Sequence, residues 1–165
     1  MNVVEANAAA VGRLLQLITP APDALEQEAV RDAVQAARDQ DLPLMWAVYQ
    51  LGRDEAVFAA EWPDVFSLVE QLRMVAANWQ ADVFFGVQEA EDEALVFECD
   101  PRWLLQVAAR ELSGYGLALW RWQGDNPDLC LGFVCREEDG DLLLQCATAL
   151  EARLLRVEDE DWEAA

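Results

Sequence analysis

The chain has 165 residues, 54% of them hydrophobic, and sets 32 aspartates and glutamates against 11 arginines, with no lysine and no histidine, for a formal net charge of −21. Without His or Lys it lacks the commonest general bases, acids and amine nucleophiles, and a surface this negative repels nucleic acid and anionic membranes while attracting basic partners. The apolar fraction, with 7 Trp and 6 Phe, excludes disorder and suits one domain with a substantial core. Arginine-rich codon usage accounts for the missing Lys but not for the excess of acids.

The chain opens Met1-Asn2-Val3-Val4-Glu5, with neither a basic leader nor a long apolar run, so no signal peptide is expected. No stretch approaches the roughly 18 apolar residues of a membrane span. Cys99, Cys130, Cys135 and Cys146 form no C-x-x-C pair, and no His completes a zinc site. A cytoplasmic protein with reduced thiols is the expectation.

Val4, Val11, Leu14, Leu15 and Ile18 recur at helical spacing, which predicts a helix over 3–18, stopped at Thr19-Pro20-Ala21-Pro22. Leu25, Ala29, Val30, Ala33, Val34 and Ala37 predict a second helix over 23–38, and Trp46 with Val48 or Tyr49 a third near 42–52. Together they make an N-terminal helical layer. Ala56 to Trp62 reads as a strand ended by Pro63, and Asp64 as the cap of a helix through Trp79. Asp82–Val87 and Ala94–Cys99 read as buried strands on either side of a charged loop. Asp100-Pro101 pairs a carboxylate cap with a proline at the first helical position, and Gly114 and Gly116 close the helix that follows. Leu117–Trp122 and Leu129–Cys135, separated by Gly124-Asp125-Asn126-Pro127-Asp128, read as an antiparallel hairpin. A last helix is expected from about Asp139 to Leu155. The whole predicts an α+β fold, a mostly antiparallel sheet with helices packed on it, as one domain over 1–157 with a solvated acidic tail over 158–165.

The acids are unevenly spread. Net charge is −8 over residues 1–82 and −13 over 83–165. Three runs carry the excess: 89–93, 137–141, and 158–163 with Trp162 inside it. Solvated loops are the ordinary use of such runs. If they converge, they form an anionic surface that steers a cationic partner. Candidate partner-binding residues are therefore Glu89, Glu91, Asp92, Glu93, Glu137, Glu138, Asp139 and Asp141. Trp122 joins them as a candidate anchor. It shares a strand face with Trp120, and that face is either core or interface. Trp46, Trp79 and Trp103 fall on predicted core stripes.

No catalytic residue is assigned. Ser67, Ser113, Thr19 and Thr148 have no His to activate them, and Cys130 and Cys135, five apart on one strand, point to opposite faces. Glu61 beside Trp62, and Glu98 near Asp100, are the carboxylates that a glycosidase-like pair would draw on. Asp139-Gly140-Asp141 resembles half of a calcium loop but lacks the closing Glu at the twelfth position, so no metal and no cofactor are assigned.

The stretches Leu14 to Pro20, Phe58 to Asp64 and Gly116 to Trp120 are similar to those of a family of small bacterial proteins with no assigned chemistry, although Pro63 stands where that family carries a basic residue. In size, acidity and lack of catalytic residues the chain also resembles bacterial immunity proteins. That resemblance implies a cytoplasmic protein that blocks a basic toxin, such as a nuclease delivered by contact-dependent or type VI secretion, by occluding its active site. The alternatives are a DNA mimic acting on a DNA-binding protein, and an enzyme or small-molecule binder with a carboxylate-lined pocket.

Overall fold

The structure, a computed structural model, describes residues 2–20, 26–53, 55–87 and 89–160. Its elements run α1 (Val3–Leu17), α2 (Gln27–Asp39), α3 (Met45–Gly52), β1 (Val57–Glu61), α4 (Val65–Asn78), α5 (Glu93–Val96), α6 (Pro101–Ser113), β2 (Leu117–Trp122), β3 (Leu129–Arg136), α7 (Gly140–Ala149) and β4 (Leu154–Arg156). Short 3-10 turns precede α5 and α7 and follow β4. The strands form one antiparallel sheet in the order β1-β3-β2-β4, and the fold is α+β. Among the described residues no helix is long and apolar enough to cross a membrane.

The caps are those that the local sequence dictates. Asn2 accepts from the Glu5 amide, Asp64 from that of Ser67 and Asp100 from that of Arg102, each satisfying a donor that a helix start leaves open. Strand alternation then sorts the sheet into two apolar faces. Ala118, Trp120, Trp122, Leu131, Phe133 and Cys135 pack with α1, α2, α3 and α7. Leu117, Leu119, Cys130, Val134, Phe58 and Ala60 pack with α4 and α6. Cys130 and Cys135 thus lie on opposite faces, and the N-terminal helical layer is present with α7 added to it. No charged or polar residue among those described is buried.

At the centre of the second face Gly132 lies between Phe58 of β1 and Arg121 of β2. A Cβ at 132 would stand 2.2 Å from the Trp120 carbonyl oxygen and 2.5 Å from the Phe58 ring. The missing side chain is what lets the buried ring lie over the strand. The β1 edge is closed without a further strand: Gln71 of α4 accepts from the Ala59 amide at 3.0 Å, and Val57 bridges to Arg53. Both contacts blunt an edge that would otherwise template association.

Four expectations are corrected. The segments 82–87 and 94–99 are not strands; the first is irregular and the second is α5 and the turn after it. The last helix ends at Ala149, Glu151 turns left-handed (φ 55°), and Leu154–Arg156 pairs with β2. Although that sequence suits a helix, β2 offers it a row of open backbone partners, and tertiary pairing overrides propensity. At the end of α6 the left-handed glycine is Gly116 (φ 73°), while Gly114 stays right-handed.

The fourth correction concerns the acidic tail. Its described part, residues 158–160, belongs to the fold. Glu160 forms a two-pronged ion pair with Arg121 (Nη2–Oε1 2.6 Å, Nε–Oε2 3.3 Å), both side chains less than 14% exposed. Gln106 of α6 donates to the Glu160 carbonyl. Residues 161–165, with Asp161, Trp162 and Glu163, lie outside the described residues.

Two substitutions test this packing by urea unfolding. Gly132→Ala is expected to lose about 2 kcal/mol through overpacking against a neighbouring backbone. An unchanged midpoint would show that the sheet has slack there. Arg121→Met keeps the stem's packing but strands the Glu160 carboxylate, at an expected loss of about 3 kcal/mol. A loss below about 0.5 kcal/mol would mean that 158–160 is no part of the cooperative unit.

Candidate functional site: an acid-rimmed apolar groove

Residues 82–87 have the alternation of a strand, with Val83 and Phe85 inward and Phe84 outward, but they reach no sheet edge. Their amides are satisfied by a side chain instead. Glu111 of α6 accepts from the Phe84 amide at 2.9 Å and from the Phe85 amide at 2.8 Å, one to each carboxylate oxygen. Phe85 (φ 52°) and Gly86 (φ 77°) are then both left-handed, which turns the chain where a strand would run on. Arg73 of α4 holds the same segment from the other side. Its Nε donates to the Val83 carbonyl, its guanidinium lies 5.4 Å from the Phe85 ring centre, and its Nη1 pairs with Glu93. Glu93, Ala94 and Leu95 favour a helix, and α5 with its turn folds Val96 inward.

Between this segment and the start of α6 runs an open groove of about 590 Å³, lined by Phe85, Val87, Leu95, Val96, Cys99 and Trp103, with Glu89 and Asp92 in its wall. Phe85 and Val96 make a buried floor, whereas Leu95 and Trp103 stand 55% and 45% exposed. Just beyond, Phe97 carries the exposed ring of Phe66 at 5.4 Å. Large apolar side chains gathered in the open mark an interaction surface. Around them residues 89–100 hold six acids and no arginine, and of these only Glu93 has an arginine partner among the described residues.

Of the sequence-predicted residues, Glu89 and Asp92 line this groove, whereas Glu93 pairs with Arg73 and Glu91 is exposed outside the lining. The second run does not join them. Glu137, Glu138, Asp139 and Asp141 lie at the turn into α7, whose buried residues pack on the first face of the sheet. It meets the third run instead, since Arg156 donates to both Glu137 (3.2 Å) and Glu158 (3.3 Å). Glu138 also lines a separate cleft of about 640 Å³ with Trp79, Tyr115 and Arg136, where the Arg136 guanidinium lies 5.1 Å from the Trp79 ring centre.

Trp122 is corrected. It is 6% exposed and packs edge-on against Trp46 at 5.6 Å, so of the two alternatives for its face, core and interface, the structure has core. Trp103 takes the opposite correction, from expected core to exposed groove wall. The buried residues of α6 are Leu104, Leu105, Ala108, Ala109 and Leu112, and with 3.6 residues per turn Trp103 falls on the opposite side of the helix from that stripe. The sequence reading passed over Arg73 and Glu111 as well. Each is a single charged residue on a helix, and only the fold brings it to open backbone groups.

The model of a family described as a domain of unknown function, DUF6630, matches residues 10–158. The chain belongs to the DUF6630 family. The matched span holds the sheet, the groove and the first two acidic runs. No curated protein and no solved structure matches the chain.

Among the described residues no three His, Cys, Asp or Glu side chains are grouped to hold a metal ion, and Glu61 and Glu98 are both exposed rather than facing each other across a cleft. All four cysteines are free thiols. Burial pushes Cys130 up to about 12, against the pull of the Arg121 guanidinium and with a small push from Glu160. Burial also pushes Cys135 up to about 12, against the Trp120 indole N–H, and raises Cys146. Cys99, at the groove, is half-exposed.

The unfolded chain releases the protons of Cys130 and Cys135 near pH 9, while the folded chain keeps them to about 12. Stability is therefore complete below pH 9 and falls between 9 and 12, by about 1.4 kcal/mol per pH unit for each thiol. Urea unfolding of wild type against Cys130→Ala/Cys135→Ala across that range is expected to show the wild type's steeper alkaline loss. Parallel curves would refute it.

Proposed function

We propose that this member of the DUF6630 family is a non-enzymatic binding protein that neutralises a basic protein, as an immunity protein does a toxin, by seating the acid-rimmed groove over the partner's cationic active cleft. The observation that carries the reading is the pairing of exposed apolar groove walls (Leu95 and Trp103) with the run of six acids over 89–100. Apolar anchors supply most of the strength of a protein contact, and rim charges set its rate and register. The acids of 137–141 and 158–160 support it less, since Arg156 and Arg121 already compensate part of their charge. They add to the long-range field that draws the partner in. A cytoplasmic setting goes with this reading, because the four thiols are unpaired.

The tagged protein, expressed in its own host, is expected to capture a basic protein whose activity falls to zero as one equivalent is added. The association rate should drop by roughly 10–1,000-fold from low to high salt. Glu89→Gln/Asp92→Asn should slow association and flatten the salt dependence. An acidic or neutral partner, or binding indifferent to ionic strength, would sink the proposal.

A further inference from the structure

We infer that the groove between α5 and α6 seats a single amphipathic helix, apolar on one face and rich in lysine or arginine on its flanks. This rests on the reading above that the partner is basic, and it goes further by naming the element that enters. The groove's volume of about 590 Å³ is in the range that takes a ligand or a pair of large side chains. Its floor and most of its wall are apolar, so what fills it must bury hydrophobic surface. Glu89 and Asp92 complete the wall, so anionic lipid, nucleic acid or an acidic peptide is repelled while lysine stems can reach across to them.

The backbone decides between a helix and an extended strand. Strand addition needs a sheet edge with open amides and carbonyls. The groove is not at a sheet edge, and six of the amides around it are already engaged. Those of Phe84 and Phe85 donate to Glu111, that of Val87 to the Phe84 carbonyl, that of Asp92 to the Glu89 carbonyl, and those of Glu98 and Cys99 to the carbonyls of Leu95 and Val96. An extended occupant would bury its own backbone donors unpaired, whereas a helix brings its hydrogen bonds with it. Arg73 and Glu111 brace the first wall from α4 and α6, so the groove stands formed before anything enters it.

The test uses the full chain and a synthetic helix of roughly eighteen residues, leucine on one face and lysine on the other, long enough to be helical when bound. Cys99 is the reporter, because it lines the groove and the other three thiols are buried. The peptide is expected to slow alkylation of Cys99 by iodoacetamide at least about tenfold, and Trp103→Ala to weaken its binding about tenfold or more. Trp103 is exposed, so that substitution leaves the core alone. Glu28→Gln/Asp32→Asn, two exposed acids of α2, should leave both readouts as in wild type. A scrambled peptide of the same composition, with no apolar face, should leave Cys99 reactive, and so should the peptide with glutamate for lysine. Equal protection by the scrambled peptide, or tight binding with Cys99 unprotected, would overturn the inference and mean charge attraction alone. If the helix binds as described but the host yields no basic partner, the groove's specificity stands and the neutralising role fails. If a basic partner is captured yet leaves Cys99 reactive and ignores Trp103→Ala, the neutralising role stands and this inference fails.

Discussion

The β2–β3 hairpin is apolar on both faces, and that demand for cover organises the rest of the molecule. Trp120 and Trp122 on one side, and Leu119, Cys130 and Val134 on the other, all sit below a tenth of their possible exposure. A sheet of this kind is stable only between two layers. The N-terminal helices and α7 supply one layer, and α4 and α6 the other. Each flank must lie close, and Gly132 shows how close: Phe58 crosses the strand where a methyl group would strike both ring and backbone. With no charged residue buried among those described, the surplus of carboxylates stays in water, where its self-repulsion is weakest.

The arginines are too few to neutralise that surface, so their positions matter. Arg121 fixes residues 158–160 to the sheet, Arg156 joins the second and third acidic runs, and Arg73 ties Glu93 to the segment before it. Three of the 11 arginines thus hold loops to the body of the protein as well as offsetting charge. Near α5 they leave Glu89, Glu91, Asp92, Glu98 and Asp100 without an arginine partner among the described residues, and Glu89 and Asp92 line the groove with the exposed Leu95 and Trp103. Charge and hydrophobicity coincide there, and that coincidence supports a docking role more than net charge does.

The groove follows from a segment that fails to enter the sheet. Residues 82–87 carry strand-like alternation and β-favouring side chains, but β1 is closed by Gln71 and Arg53 and β4 already occupies the edge of β2. Held by Glu111 and Arg73 instead, the segment buries Phe85 and leaves Phe84 outside, and α5 after it buries Val96 and leaves Leu95 outside.

Local chemistry settled much of the fold in advance. Asp64 and Asp100-Pro101 start their helices through bonds confined to one turn, and helical spacing marks α1, α4 and α6, because a 3.6-residue period leaves the same trace wherever the helix packs. The hairpin was legible for the same reason, as two apolar runs around a turn rich in Gly, Asn, Pro and Asp. The acids at 89–93 could be named as a candidate, but not the apolar groove beside them. Whether Trp122 faces water depends on which layer covers it, and whether Leu154–Arg156 is helix or strand depends on an edge of β2 more than thirty residues away in the chain. The missed elements share one cause. Their backbone groups are satisfied by distant partners, Glu111, Arg73 and β2, and a periodicity read over a dozen residues carries no record of contacts made across the fold.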